Sequence, residues 1–312
     1  MFEIFFIVFF STCILTYLYK IVWSNVFYIQ KTPTGFGIFL ILTLLLYTLI
    51  LDGIQDNFYF LSLISAFSLV YWLDDYLHLT SIFRFLIQFV SGFLLAYLCL
   101  FLGELNFGIY KYPICIFFGL SSIFFSNIIN FYDGLDLNIS TLILLFSFIL
   151  IFFINVKEIN FLYGIIIASF ILGFSIFNII PNNIFFGDSG CFAFGSFINL
   201  ILIQSFIEQD LTSFIFLFVP IALPIIDVLY VIFLRIHLKE ALLTRNYHHL
   251  YHRVENRFKN KMYLIPQFLN IILLLILSSF IPFYNITYVS IFIVSATVIT
   301  LLDYFLIRKY MS

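Results

Sequence analysis

Eleven apolar runs, most of them long enough to cross a bilayer, divide this chain from end to end: residues 2–22, 36–51, 58–73, 84–103, 113–131, 140–156, 160–180, 191–207, 213–236, 264–282 and 286–307. A spanning helix needs roughly 20 mostly apolar residues. A lipid-exposed backbone must satisfy its own hydrogen bonds, which leaves helices and closed barrels. The runs are far longer than the roughly 10 alternating residues of a barrel strand. The expected fold is all-α: a polytopic integral membrane protein of about 11 transmembrane helices in a single transmembrane domain over residues 1–312. Charged residues make up 10% of the chain, against about 25% in a soluble domain. Water therefore cannot be the solvent for most of its surface.

The basic residues set the orientation, because cytoplasmic loops are enriched in Lys and Arg. One set of alternate loops, with the C-terminus, holds Lys20, Lys31, Arg84, Arg235, Lys239, Arg245, Arg253, Arg257, Lys259, Lys261, Arg308 and Lys309; the other holds Lys111 and Lys157. The expected N-terminus is periplasmic and the C-terminus cytoplasmic. The first run lacks a basic leader and a small-residue cleavage site, so it is read as a retained span. Cys13, Cys99, Cys115 and Cys191 form no Cys-x-x-Cys pair and read as small buried hydrophobes.

The unusual polar residues fall on the loops assigned to the cytoplasm. Asp74 and Asp75 lie between the third and fourth runs, Asn127, Asn130, Asp133 and Asp136 at the end of the fifth, and Asp188 before the eighth. His248, His249 and His252 lie in the long polar stretch 237–263. Carboxylates gathered near lipid are costly and repel one another. A hard cation held by one or two carboxylates plus phosphate oxygens would neutralise them. An apolar body beside such a site suggests an acceptor with a lipid tail. The residues alone thus imply phosphoryl-type transfer to a membrane-embedded acceptor. Asp227 and Arg235, eight residues apart, are spaced about two helical turns and are expected as a structural pair.

Several segments together resemble one family. Asp74-Asp75 with Arg84 and Gln88 is similar to the D-D-x8-R-x3-Q pattern of the polyprenyl-phosphate N-acetylhexosamine-1-phosphate transferases, glycosyltransferase family 4. Asn127-Ile-Ile-Asn130-Phe-Tyr-Asp133-Gly-Leu-Asp136 resembles that superfamily's N-x-x-N-F-x-D-G-x-D. Asn178 and Pro181, followed by Phe186-Gly187-Asp188-Ser189-Gly190, resemble its N-x-x-P and F-x-G-D-x-G elements. Thr32-Pro33-Thr34-Gly35-Phe36-Gly37, Pro224-Ile-Ile-Asp227 with Arg235, and His249-Leu-Tyr-His252-Arg253 complete the set, in the family's order over about residues 31–254.

The resemblance implies transfer of a UDP-activated N-acetylhexosamine-1-phosphate to undecaprenyl phosphate, with release of UMP and Mg²⁺ (or Mn²⁺) as cofactor. It assigns catalytic roles to Asp74, Asp75 and Asp133, metal ligation to Asp188 and Asp75, and substrate binding to Asn127, Asn130, Asp136, Asn178, Phe185, His249 and Arg253. It implies an inner-membrane location with the active site cytoplasmic, membrane lipid but no nucleic acid as partner, and leaves a homodimer open. The last motif is closest to the branch that initiates O-antigen and other surface polysaccharides. Phe131-Tyr132, where the peptidoglycan branch has Leu-Thr, points the same way. The phospho-N-acetylmuramoyl-pentapeptide transferase of peptidoglycan synthesis is the alternative within the family. A polytopic transporter is the alternative from another class; it would place its site near the bilayer midplane in repeated halves, and no repeat is visible. The chain departs from the family at Thr34 (Arg in the family), Phe36 and Leu137 (both Gly), Asn246 and His252.

Overall fold

The computed structural model describes residues 2–26, 32–51, 55–77, 79–103, 107–154, 159–181, 183–241, 247–259, 261–281 and 286–311. Side chains of 24–26, 75–77, 159, 160, 286 and 311 fall outside that description. Among the described residues there is no strand, and every apolar run carries helix. The described residues form two compact units, Met1–Gln209 and Asp210–Ser312.

The first unit is built from α1 (Phe2–Val26), α2 (Ile38–Leu51), α3 (Asp56–Leu77), α4 (Ser81–Leu102), α5 (Lys111–Tyr132), α6 (Asn138–Phe152), α7 (Ile159–Asn178) and α8 (Gly187–Ile207). α8 is the core element: almost all of its length is buried, against α2, α3, α4 and α5. Lipid tails are as apolar as Leu, so helices in a bilayer associate through close packing of small residues rather than through a hydrophobic drive. Gly195 shows the closeness here. A Cβ added to it would come within 2.6 Å of the Ser126 Cα on α5. The outward faces of α1 and α4 are apolar and exposed, as a lipid-facing surface requires.

The second unit contains α9 (Leu211–Phe218), α10 (Ala222–His237), α11 (Leu250–Phe258), α12 (Leu264–Phe280) and α13 (Ile286–Met311). Asp210 caps α9, its carboxylate accepting from the Thr212 and Ser213 amides, which fills donors left open at a helix start. The ninth apolar run, expected as one helix, is broken: α9 and α10 meet at 57°. Pro220 sits in the break and Pro224 in the first turn of α10, the position where a missing N–H costs least. α11 interrupts a stretch expected to be loop, and buries Leu250, Tyr251 and Val254 on one side.

Six helices are long and apolar enough to cross a membrane, seven if the α9–α10 pair counts as one span. α2, α6 and α12 are apolar but shorter. At 14–17 residues they reach only roughly 21–26 Å. Two boundaries move toward the polar residues. α3 continues through Asp74 and Asp75, and α8 starts at Gly187, four residues before its apolar run. Backbone hydrogen bonding carries a helix past the point where hydropathy falls, so these aspartates lie in terminal helical turns rather than in loops.

Candidate active site

Four helix ends of the first unit meet at one end of its bundle: the C-termini of α3 and α5 and the N-termini of α4 and α8. Asp74, in the last turn of α3, is 1% exposed. Its Oδ1 accepts from the Leu79 amide at 2.5 Å, and its Oδ2 lies 2.7 Å from the Arg84 Nε. Arg84, in the first turn of α4, also donates through Nη1 to Asp188 Oδ2 at 2.9 Å. One guanidinium therefore bridges carboxylates 114 residues apart in sequence. Asp188 stands in the first turn of α8, where the positive end of the helix dipole favours a carboxylate, and it is hydrogen-bonded to the Asn130 side chain. Asn127, one turn earlier on α5, donates to Gln88 Oε1 at 2.8 Å and ties α5 to α4.

Asp133 follows the last residue of α5 and accepts from the Gly187 amide at 2.8 Å. Lost hydration pushes its carboxyl up to about 7; the Gly187 N–H opposes this, and the Asp188 charge adds to it. Two carboxylates, Asp74 and Asp188, thus share one guanidinium, while Asp133 is held by the Gly187 amide beside Asp188. Hard oxygens of Asp188, Asp133 and Asn130 could hold a divalent cation. No group of three His, Cys, Asp or Glu side chains forms a ready-made cage among the described residues. A cation here would complete its shell with water and substrate oxygens, the usual manner for Mg²⁺. The side chain of Asp75 lies outside the described residues.

The loop before α2 closes against this centre. Phe185 N donates to Pro33 O at 2.9 Å and Gly37 N to Phe186 O at 2.8 Å. Gly187 takes φ +85°, and a Cβ there would stand 2.2 Å from the Gly35 N. A Cβ on Gly37 or Gly190 would meet the other's Cα at 2.5 Å. The glycines shared by the two motifs are where two backbones touch. Asn178, 1% exposed, brackets the other side. Its Oδ1 accepts from Leu137 N at 2.7 Å and Ser140 Oγ at 3.1 Å, and its Nδ2 donates to Ile184 O at 2.8 Å. Asp136 sits half-buried in the turn between α5 and α6.

Two departures from the family pattern have local explanations. Phe36 is fully buried and stacks on Phe170 and Phe174, with ring centroids 5.6 and 5.4 Å away. It fills the joint between α2 and α7. Leu137 holds φ +64°, a left-handed conformation that glycine adopts freely and other residues rarely. Its amide is held by Asn178.

In the second unit, Asp227 on α10 pairs with His249, not with Arg235 as its spacing suggested. His249 Nδ1 lies 2.8 Å from Asp227 Oδ2. Arg235 instead faces Glu240 at 3.6 Å and the Ala241 carbonyl. Helical spacing favours a pair eight residues apart, but the turn into α11 brings His249 to the carboxylate first. Arg253 is half-buried on α11, and Asp303 accepts from Asn270 at 3.4 Å.

The first unit thus gathers Asp74, Asn127, Asn130, Asp133 and Asp188 with Arg84 and Gln88. Arg84's bridging role escaped the sequence, although its basic charge in an otherwise apolar helix start was the available signal. The pattern of glycosyl transferase family 4 matches residues 57–206, which contains all of these residues. The chain is 28% identical over 224 residues to the phospho-N-acetylmuramoyl-pentapeptide-transferase of Clostridium perfringens (strain 13 / Type A), a match covering 64% of this chain and 66% of that protein. It is 29% identical over 212 residues to the protein of the same name from Petrotoga mobilis (strain DSM 10674 / SJ95), covering 61% and 67%. The matched region spans just under two thirds of the Clostridium protein. The family match and these relatives together support glycosyl transferase family 4, in the polyprenyl-phosphate sugar-1-phosphate transferase superfamily, as the family of this chain. The relatives carry the name of the alternative branch, so they favour the peptidoglycan reading over the surface-polysaccharide reading that the last motif suggested.

Proposed function

We propose that this protein transfers a sugar-1-phosphate from a UDP-linked donor to polyprenyl phosphate and releases UMP. The observation that carries the proposal is the bridging of Asp74 and Asp188 by Arg84, with Asp133 close to Asp188, at one end of the first unit. Such a site suits the approach of two phosphates that would otherwise repel. An oxygen of the lipid phosphate attacks the donor's β-phosphorus, the bond from that phosphorus to the bridging oxygen of the α-phosphate breaks, and UMP leaves with that oxygen. A phosphate monoester loses its second proton near pH about 6, so the attacking oxygen is largely ionised at neutral pH. Positioning and charge neutralisation then supply most of the acceleration.

Asp188, with Asp75, would hold a divalent ion, Mg²⁺ or Mn²⁺, with Asp133 and Asn130 beside it. That ion would neutralise charge on the donor's diphosphate. Arg84 holds Asp74 and Asp188 at fixed places and supplies one positive charge of its own. Asp74 would face the lipid phosphate. The basic-residue bias of the loops supports a cytoplasmic site in the bacterial inner membrane.

For the donor, similarity to the named relatives favours UDP-N-acetylmuramoyl-pentapeptide. Phe131-Tyr132 and the segment His249-Leu-Tyr-His252-Arg253 taken as a whole favour a UDP-N-acetylhexosamine. A donor panel with purified protein, undecaprenyl phosphate and Mg²⁺ separates them. Lipid-linked product from the muramoyl-pentapeptide donor, at least about tenfold above the hexosamine donors, is the expected result. The reverse order assigns the chain to the surface-polysaccharide branch, and no product from any UDP-sugar removes the proposal.

A further inference from the structure

The geometry points to Tyr304 and Arg308, on the last helix, as positioning residues that act on His249 through Asp227. The inference deepens the proposed function and rests on it together with the substrate-binding role that the family resemblance gives His249. Nothing in the sequence motifs reaches these two residues: the motif-bearing core ends near residue 254, and the family match ends at 206.

Asp227 is fully buried and accepts three hydrogen bonds. Its Oδ2 takes His249 Nδ1 at 2.8 Å; its Oδ1 takes the Leu250 amide and the Tyr304 hydroxyl, both at 3.0 Å. A carboxylate only accepts, so the proton of this pair sits on His249 Nδ1. That fixes the tautomer, which puts the lone pair of the neutral ring on Nε2. Because the Leu250 amide is held by the same carboxylate, the start of α11 and the imidazole ring are set together.

Behind Asp227 the chain continues. Arg308 Nη1 donates to the Tyr304 hydroxyl at 2.6 Å and to His248 O at 3.3 Å, and its guanidinium stands 4.1 Å from the Tyr230 ring centroid. Arg308 therefore offsets the buried negative charge through Tyr304 while holding the backbone next to His249. A buried ionic chain is weak as a stabilising device, since its desolvation cost offsets the attraction and apolar side chains often pack as well. α13 is apolar along most of its length, so such packing was open to it. What the polar chain supplies is direction: a hydroxyl and a carboxylate in line with one ring nitrogen.

The test uses the full chain in lipid nanodiscs, with ¹⁵N-histidine labelling and the His249→Gln difference spectrum to identify the ring. Wild type is expected to show the Nδ1–H form and Asp227→Asn the Nε2–H form, because the new amide can donate to Nδ1. Tyr304→Phe keeps the ring and removes one donor. It is expected to lower kcat roughly tenfold, the low end of the effect of losing an outer-shell partner, with KM for the UDP-sugar within twofold and an unchanged yield of folded protein. An Nε2–H ring in wild type, or unchanged kcat in Tyr304→Phe, overturns the inference. If the wild-type protein turns over no UDP-sugar, the transferase proposal falls by itself, and the tautomer spectra alone decide whether Asp227 orients His249.

Discussion

Asp188→Asn is expected to lower turnover by at least about 10³-fold while the protein still inserts and folds. The amide has nearly the same shape and can keep a hydrogen bond to Asn130, which touches Asp188 from α5. Arg84 retains Asp74 as its partner at 2.7 Å, so the joint between α3 and α4 survives. What disappears is a charge at the N-terminus of α8, where a cation and the donor's phosphates would meet. Loss of one preorganised electrostatic group costs about 10²–10³ in turnover, and loss of a metal ligand adds to that. The check is the rate of lipid-linked product per folded protein, with detergent gel filtration reporting the fold. Full activity in this variant would sink the assignment of Asp188 as the ion's ligand.

Removing divalent ions should stop the reaction altogether. Among the described residues, Arg84 is the one cation paired with Asp74 and Asp188, and Asp133 is left with its carboxyl pushed up to about 7, largely by lost hydration. Bringing in a donor diphosphate and a lipid phosphate adds several more negative charges. A single guanidinium cannot offset all of them, so turnover should fall to background in excess chelator. Mg²⁺ or Mn²⁺ should restore it, whereas a monovalent salt at equal ionic strength should not. Undiminished product in chelator-washed membranes would show that Arg84 and the backbone amides suffice.

Much of this site was legible in the sequence because its parts are short and chemically distinctive. Aspartates in an apolar chain stand out, and their order along the chain matches a known pattern. Asp74, Asn130, Asp133 and Asp188 stand out from the sequence alone, and the helix ends bring them together. Hydropathy also located every long helix. It could not see the break at residues 219–221, because an apolar run reads the same whether straight or bent by 57°. It missed α11, since this nine-residue helix is polar on average and its buried side shows only as periodicity, not as an apolar run. Partners distant in sequence were the other blind spot. Helical spacing offered Arg235 to Asp227, while the real partners, His249 and Tyr304, lie 22 and 77 residues away. Phe36 and Leu137 stand where the family pattern has glycine. One proves to be core packing, and the other is a left-handed residue held by Asn178.

The central claim concerns which phosphate moves, and labelling decides it. With a UDP-sugar carrying ³²P at the β-position, undecaprenyl phosphate and Mg²⁺, the label should appear in the lipid fraction, with unlabelled UMP in the aqueous phase in equal amount. Label retained in released UDP, with only the sugar reaching the lipid, would contradict the account.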